Sequence, residues 1–190
     1  MQLQYNNQHN KGMPMYKAVL AGTLLTIFPM MSMEHTSNIT KTYVDLAQIK
    51  SMCSQLHTQV LQGNFNPDVL VGITRGGIVP LGLLAGEHMF NNRNIRMISI
   101  ASYEGMDKQK ELKLLTSIHI DDYKGFKKIL VIDDIVDTGD TIKHVLGLLN
   151  EYLPQAIIKS AALFYKKKSC MEPNYYVQET SDWIVFPWEE

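Results

Sequence analysis

The sequence predicts an α/β fold, an open and mostly parallel sheet with flanking helices, and three observations support this prediction. Short apolar runs rich in β-branched residues recur at residues 68–74, 95–101, 129–132 and 157–165, as is typical of strands buried on both faces. Apolar residues at helical spacing separate several of these runs. Glycine turns follow two of the runs, in the order expected of a parallel sheet covered by helices.

The first predicted helix begins at a variant capping box, Asp45-x-x-Gln48, and ends at Gly63. We expect one face of this helix to be formed by Leu46, Ile49, Cys53, Leu56 and Val60.

The strand at 68–74 leads into the turn Arg75-Gly76-Gly77 and then into an apolar helix from about Ile78 to Met89. Proline at position 80 is tolerated in the first turn of that helix. Backbone amides exposed in such a short glycine turn can bind an anion.

The segment at residues 102–120 is polar and rich in lysine, and it follows the strand at 95–101. Its apolar alternation is weak, so we predict a long flexible hairpin or loop. A loop of this length in a compact domain usually has a function.

The stretch at residues 128–145 carries the clearest chemical signal of the chain. Its apolar run is ended by Asp133 and Asp134, and a turn at 137–141 then leads into a helix. The helix N-terminus and the glycine of that turn favour a bound phosphate. Adjacent carboxylates accept hydrogen bonds from the vicinal hydroxyls of a sugar. Together these features predict a site for a ribose 5-phosphate.

After this stretch we predict a helix with Ile142, Val145, Leu146 and Leu149 on one face, and then the strand at 157–165. The tail contains two short β-like runs, at residues 175–177 and 183–186. The chain has neither a GxxxxGK[ST] motif nor a GxGxxG motif, which argues against P-loop nucleotide hydrolysis and dinucleotide binding.

Composition restricts the class of protein. The chain has 190 residues, with 45% hydrophobic and 19% charged residues, as expected of one soluble globular domain. Its net charge of −1 indicates neither a nucleic-acid partner nor an anionic membrane. Two cysteines without a CxxC motif suggest neither a disulfide framework nor a zinc site, which fits a cytoplasmic location.

The N-terminal 33 residues differ from the rest of the chain. Residues 18–31 are apolar and follow two lysines, like the start of a signal peptide, but no A-x-A cleavage site follows. The run is too short to span a bilayer, and Pro29 interrupts it. An upstream start assignment and a peripheral membrane anchor are the other interpretations. We predict that residues 1–33 are an extension outside the folded domain, which comprises residues 34–190.

The stretch at 128–145 resembles the phosphoribosyl-pyrophosphate (PRPP) signature of type I phosphoribosyltransferases. Within that family, the Ser-Tyr…Gln-x-Glu-Leu-Lys loop at 102–113 and the tail Asp182-Trp183-Ile184…Pro187-Trp188-Glu189 are most similar to the bacterial xanthine-guanine subgroup. The resemblance runs from about Tyr43 to the C-terminus. It implies the type I fold with a small C-terminal hood that binds a purine.

The resemblance also implies a set of site residues. PRPP binding is assigned to Arg75, Gly76, Lys110, Asp133, Asp134, Ile135, Val136, Asp137, Thr138, Gly139, Asp140 and Thr141. Purine binding is assigned to Asp137, Lys166, Trp183 and Ile184.

Individual roles follow from the same resemblance. Asp137 is the expected general base at N7 of the purine, and Asp134 is the expected ligand of Mg²⁺. Lys166 is expected at the 6-oxo group, whereas Lys167 and Lys168 are expected to be solvated. Lys110 stands where the nearest relatives carry arginine, so it is expected to bind pyrophosphate less tightly than arginine would. Asp140 has no evident role beyond a side chain turned outward.

The implied activity is transfer of a phosphoribosyl group from PRPP to a 6-oxopurine, with Mg²⁺ as cofactor, in purine salvage. The implied assembly is a homo-oligomer, either a dimer or a tetramer. Two alternatives stay open: a transferase for another base (hypoxanthine only, adenine or a pyrimidine), and a non-catalytic regulator that senses PRPP.

Overall fold

The computed structural model describes residues 40–86, 88–91, 94–104, 110–116 and 118–189. The predicted N-terminal extension therefore lies outside the described residues, and so does the middle of the lysine-rich loop, at 105–109. Within the described residues, no helix has the length and apolar character needed to cross a membrane.

Eight strands, three α-helices and one short 3-10 helix make up the described chain. In order they are β1 (Lys41–Tyr43), α1 (Leu46–Gln62), β2 (Val69–Thr74), α2 (Ile78–Leu84), β3 (Ile95–Glu104), β4 (Lys110–Leu114), the 3-10 helix (Ile120–Tyr123), β5 (Lys128–Val136), α3 (Asp140–Tyr152), β6 (Ile157–Tyr165), β7 (Tyr175–Glu179) and β8 (Trp183–Val185).

The main sheet has six strands in the order β4-β3-β2-β5-β6-β7. Every neighbouring pair is parallel except β3 and β4, which form an antiparallel hairpin. From the central pair, β2 leads outward to β3 on one side and β5 leads outward to β6 on the other. This strand order confirms the predicted fold and creates a switch point between β2 and β5, where α/β proteins bind ligands.

Side chains alternate across the central strand β5 and fill two separate cores. Leu130 and Ile132 pack in a core with α1 and α2, whereas Ile129 and Val131 pack in a core with α3. All four side chains are fully buried. The sheet is therefore covered on both faces, as its continuous apolar runs predicted.

The first helix has the predicted boundaries. The Asp45 carboxylate accepts a hydrogen bond from the Gln48 amide at 2.8 Å, and the Gln48 side chain accepts one from the Asp45 amide at the same distance. Gly63 caps the C-terminus. Four residues of the predicted face, Ile49, Cys53, Leu56 and Val60, are buried, whereas Leu46 is 61% exposed. Leu46 is the first residue of the helix, and the buried residues of the helix begin at Ile49.

Two predicted boundaries are also wrong. The acidic pair does not end the central strand, because β5 continues to Val136 and pairs with β6 beyond Asp133. Helix α2 ends at Leu84 instead of Met89, because the chain turns back and the Phe90 amide donates to the Leu84 carbonyl at 3.1 Å.

The tail forms a second, two-stranded parallel sheet with a strand that the sequence did not predict. In it β8 pairs with β1, with Lys41 opposite Trp183 and Tyr43 opposite Val185. A three-residue strand has no periodicity of its own, and β1 forms because β8 supplies its partner. We call this two-stranded sheet the hood.

Candidate active site

The turn after β5 forms a small cradle against the start of α3. Gly139 has a φ of +87°, a left-handed conformation that favours glycine. A cavity of about 110 Å³ lies here, lined by Asp133, Ile135, Val136, Asp137, Thr138, Gly139, Thr141 and Ile142. Its position at a helix N-terminus provides amide donors and positive partial charge, so the cradle suits a phosphate.

A neighbouring segment that the sequence did not single out holds the cradle in place. The Cys170 amide donates to the Thr138 carbonyl at 2.8 Å. A Cβ atom at Gly139 would overlap the Ser169 hydroxyl and would lie 3.0 Å from the Met171 amide nitrogen. Glycine is therefore required at position 139 both by its backbone angle and by this packing.

Asp140 does not line the cradle. Its side chain is exposed, and the Cys170 thiol lies 3.6 Å from its Oδ1 atom. This placement agrees with the expectation of an outward side chain, and it leaves the predicted PRPP contact of Asp140 to its backbone.

The two adjacent carboxylates stand within β5, close to the cradle. The Ile135 amide donates to Asp134 Oδ1 at 2.7 Å, and the Asp134 amide donates to Asp133 Oδ1 at 3.0 Å. Asp134 is only 7% exposed, and this burial raises its pKa to about 6. Burial, together with the charge of Asp134, also raises the pKa of Asp133. Two desolvated carboxylates side by side favour a ligand that brings hydroxyl donors or a cation.

The turn after β2 reaches the acidic pair from the next strand. A Cβ atom at Gly76 would overlap the Asp134 carboxylate, and one at Gly77 would lie 2.5 Å from the Ile132 carbonyl oxygen. The Gly77 amide donates to the Ile73 carbonyl at 2.8 Å. Both glycines therefore permit a close approach of this turn to strand β5, and Arg75 and Asp134 line the same cavity.

A large cavity of about 1030 Å³ opens between this turn and the hood. Its lining comprises Lys41, Tyr43, Arg75, Gly76, Ile78, Val79, Asp134, Ile135, Trp183, Val185, Trp188 and Glu189. Five of these residues are predicted from the sequence as site residues: Arg75, Gly76, Asp134, Ile135 and Trp183. The other lining residues are not predicted as site residues from the sequence, namely Lys41, Tyr43, Ile78, Val79, Val185, Trp188 and Glu189.

Asp137 lies between two lysines at the end of β5. The Lys166 ammonium donates to Asp137 Oδ2 at 2.9 Å, and the Lys168 nitrogen lies 3.5 Å from Oδ1. Partial burial acts to raise the pKa of Asp137, but the hydrogen bond and charge of Lys166, with those of Lys168, outweigh it and hold the pKa below its usual range. Asp137 is therefore an anion at neutral pH.

The second carboxylate oxygen of Asp137 has no short hydrogen bond. Its Oδ1 atom is buried, and among the described residues its contact is the ion pair with Lys168 at 3.5 Å. A buried acceptor of this kind costs free energy until a ligand supplies a donor. It is the group expected to meet an N–H of the base.

The three lysines that end β6 have different environments. Lys166 is 5% exposed and its nitrogen lies 5.9 Å from the centre of the Trp183 ring, so it is not a solvated lysine at the end of a strand. Lys168 was predicted to be solvated. Its side chain is exposed, but the prediction is incomplete, because strand β6 ends where the Lys168 nitrogen can reach Asp137.

Strand pairing gives the positions of Lys110 and Ile184. Lys110 opens β4, where its backbone pairs with Glu104 at the outer edge of the main sheet. Ile184 is buried in β8 opposite Thr42, with Trp183 beside it. The roles assigned to Lys110 and Ile184 stay predictions.

Comparisons with known proteins agree with this geometry. A family model described as "Phosphoribosyl transferase domain" matches residues 35–190. The chain is 34% identical over 143 residues to a xanthine-guanine phosphoribosyltransferase of Chromohalobacter salexigens, covering 74% of this chain and 76% of that protein. It is also 34% identical over 124 residues to the protein of the same name from Gluconobacter oxydans, covering 63% and 67% of the two chains.

Two solved structures share the fold over most of its length. A purine phosphoribosyltransferase from Pyrococcus horikoshii aligns with a TM-score of 0.67 and 32% identity, covering 79% of this chain and 95% of that chain. A xanthine-guanine-hypoxanthine phosphoribosyltransferase from Helicobacter pylori aligns with a TM-score of 0.69 and 28% identity, covering 78% and 94%.

Proposed function

The chain belongs to the phosphoribosyl transferase domain family, and on that premise we propose that it transfers the phosphoribosyl group of PRPP to a 6-oxopurine in purine salvage. The observation that carries this proposal is the position of Asp137. It lines the phosphate cradle, and it is hydrogen-bonded to Lys166, whose nitrogen faces the Trp183 ring. One carboxylate thus stands between a phosphate subsite and an aromatic subsite, as transfer from a sugar phosphate to a base requires.

The acceptor base would lie between the hood and the end of β5. Trp183 is 51% exposed and lines the large cavity, so its ring is available to stack on a purine. The Lys166 ammonium has only donors, which suits the 6-oxo oxygen of guanine, xanthine or hypoxanthine. The backbone of Ile184 would read the 2-substituent.

PRPP would bind along the edge formed by the two turns. The cradle at 137–141 would hold the 5′-phosphate, and the acidic pair would accept hydrogen bonds from the ribose hydroxyls. Arg75 and the backbone at Gly76 would hold the diphosphate, with Lys110 closing from the β3–β4 hairpin. Exclusion of water by that hairpin would protect the sugar cation from hydrolysis.

The donor chemistry of the site fits Mg²⁺. Asp134 offers buried carboxylate oxygens, and no cluster of three or more His, Cys, Asp or Glu side chains able to hold a metal occurs among the described residues. Mg²⁺ is usually held by one or two carboxylates together with substrate phosphates and water, so this sparse donor set suits it. When bound, Mg²⁺ would neutralise charge on the diphosphate.

The chain's own residues would perform the remaining steps. As the bond to the diphosphate breaks, positive charge develops on the sugar ring, and the nearby carboxylates of Asp133 and Asp134 stabilise it. Asp137 Oδ1 accepts the proton from N7 of the base as the new glycosidic bond forms. Lys166 keeps Asp137 oriented and ionised before the reaction.

The same proposal includes the location, the binding partners and the assembly of the enzyme. PRPP and free bases are metabolites of the cytosol, so we expect a cytoplasmic protein that recognises small molecules and no nucleic acid. We expect a homodimer or homotetramer, and a folded domain that comprises residues 34–190.

One experiment tests the activity directly. The purified chain is incubated with PRPP and Mg²⁺ and, separately, with xanthine, guanine, hypoxanthine, adenine or uracil, and nucleotide and pyrophosphate are quantified. We expect nucleotide from the 6-oxopurines and a very small yield from adenine and uracil. Preferential conversion of adenine or a pyrimidine would overturn the purine assignment, and PRPP binding without any product would favour a non-catalytic sensor.

A further inference from the structure

Within the hood, strand β1 is fixed to strand β8 by hydrogen bonds on both sides of Lys41. The Trp183 amide donates to the Thr40 carbonyl at 2.8 Å, and the Val44 amide donates to the Val185 carbonyl at 3.2 Å. The Thr42 hydroxyl also donates to an Asp182 carboxylate oxygen at 2.7 Å. The position of Lys41 is therefore set by the folded hood.

The alternation of side chains along β1 directs Lys41 into the large cavity. Thr42 is half-buried opposite the buried Ile184, on the core side of the hood. Lys41 and Tyr43 point the other way, with Trp183 and Val185, and all four line the cavity that Arg75 also lines. Residues of one strand that are two apart share a face, so this placement follows from the register of β1 against β8.

The two carboxylates that line the cavity accept hydrogen bonds from neighbouring groups of the protein. Asp134 accepts hydrogen bonds from the Ile135 amide and the Trp188 side chain, and Glu189 accepts one from the Phe186 amide at 3.1 Å. Across the ranges that the structure describes, neither Lys41 nor Arg75 forms a salt bridge. Lys41 and Arg75 thus have no direct carboxylate partner among the described residues, so each is available to pair with an anionic ligand.

We infer that Lys41 is a second cation of the diphosphate subsite, acting from the hood side while Arg75 acts from the β2 turn. This inference rests on the proposed function, because the diphosphate is that of PRPP. A diphosphate carries several negative charges, and the ammonium group offers three donors on a flexible stem without demanding a fixed geometry. Charge accumulates on the diphosphate as it leaves, so the contact would strengthen in the transition state.

The test compares Lys41→Ala with Lys50→Ala, a matched exposed lysine on α1 that lines no cavity described above. Calorimetry with Mg²⁺ present measures the Kd of PRPP, of pyrophosphate alone, and of guanosine monophosphate, which lacks the diphosphate. Because Lys41→Ala removes a charge-assisted hydrogen bond to the diphosphate, we expect it to raise the Kd of PRPP and of pyrophosphate by roughly tenfold or more. The Kd of the monophosphate should not change.

Lys41→Arg should restore most of the affinity for pyrophosphate, and high salt should reduce the difference between Lys41→Ala and the natural chain. Equal Kd values for Lys41→Ala and Lys50→Ala, or an equal loss for guanosine monophosphate, would overturn the inference. A changed preference between xanthine and guanine with unchanged pyrophosphate affinity would also overturn it, because Lys41 would then contact the base. The pyrophosphate measurement keeps this result separate from the proposed function, which fails if the natural chain forms no nucleotide.

Discussion

The ammonium of Lys166 donates a hydrogen bond to Asp137 Oδ2 at 2.9 Å, and its side chain is 7% exposed while that of Asp137 is 40% exposed. The pair joins the ends of two neighbouring strands, β5 and β6, at the edge where ligands bind. Lys166 thereby occupies one oxygen of Asp137, while the other oxygen has only the longer contact with the exposed Lys168, at 3.5 Å, and can still meet a substrate. This division explains how one carboxylate can be positioned by a lysine and still accept a proton.

Replacement of Asp137 by Asn should reduce kcat strongly while PRPP still binds. The amide keeps the shape of the side chain and an oxygen for Lys166, but it cannot accept a proton, and removal of a general base costs about 10²–10⁴-fold in rate. Steady-state kinetics with guanine measure kcat, and thermal unfolding verifies that the variant is folded. Asp121→Asn, in an exposed ion pair with Lys124, is the control. A kcat within twofold of that control would refute the assignment.

Replacement of Lys166 by Ala should lower kcat/KM for all 6-oxopurines. It should also reduce the ratio of kcat/KM for a 6-oxopurine to kcat/KM for adenine. The ammonium can donate to a 6-oxo oxygen, whereas adenine would face it with another donor, and such a mismatch can cost roughly 10⁴–10⁵-fold. Competition between guanine and adenine measures the ratio of their kcat/KM values. Lys167→Ala is the matched control, since Lys168 is too close to Asp137 to serve. Unchanged discrimination in Lys166→Ala would remove Lys166 from base recognition.

Asp134→Asn should stabilise the ligand-free chain at neutral pH while weakening PRPP binding. Burial raises the pKa of Asp134 to about 6. Folding therefore favours its protonated form, and the associated stability is present below its unfolded pKa near 4 and is lost as pH rises through about 6. Asparagine avoids this loss. The free energy of unfolding, from denaturant titrations, should exceed that of the natural chain by about 1–3 kcal/mol at pH 8 and by much less at pH 4.

Calorimetry on alanine variants tests the role of the acidic pair in PRPP binding. Asp133→Ala and Asp134→Ala should each weaken PRPP more than they weaken the free base, because the sugar hydroxyls and Mg²⁺ belong to PRPP binding. Equal losses for the two ligands would contradict a role of the acidic pair at the ribose.

Gly76→Ala should weaken PRPP binding, whereas Gly82→Ala should not. A Cβ atom at position 76 would overlap the Asp134 carboxylate, so either the turn or Asp134 has to move. Nothing lies within 4 Å of a Cβ at position 82, in helix α2, and there alanine should stabilise the chain by about 0.5–1 kcal/mol. PRPP titrations and thermal unfolding compare the two variants. Similar PRPP affinity in both would show that the close approach at Gly76 does not matter.

A chain started at Met33 should retain folding and turnover. The described elements and every predicted site residue lie after it, starting with β1 at Lys41. A chain started at Val44 is the informative contrast, because it lacks β1 and should lose the hood that β1 completes. Solubility, thermal unfolding and the nucleotide assay compare the three lengths. Loss of activity in the chain started at Met33 would show that the N-terminal extension is needed.

Signals within short stretches of sequence were sufficient to predict most of the helices and strands. The capping box at Asp45, the continuous apolar runs and the glycine at position 139 each act within a few residues of the chain, so their structural consequence can be predicted from sequence. The same holds for the phosphate cradle, because a strand, a glycine turn and a helix start form it in one continuous stretch.

The predicted ends of strands and helices were wrong where the observed end depends on contacts with a part of the chain distant in sequence. Asp133 and Asp134 are poor strand residues by composition, yet β5 continues through them because β6 supplies backbone partners as far as Tyr165. The turn at Leu84 and the exposure of Leu46 likewise depend on where each helix meets the sheet.

By itself the sequence determined the fold class, the acidic pair and the cradle, because their chemistry lies in one continuous stretch of chain. Only the tertiary structure decided that Lys166 is buried against Asp137, that Gly76 lies against Asp134, and that Lys41 lines the same cavity as Arg75. These pairs are brought together by sheet register and hood pairing between residues far apart in sequence. Side-chain pattern within a short window contains no information about such distances.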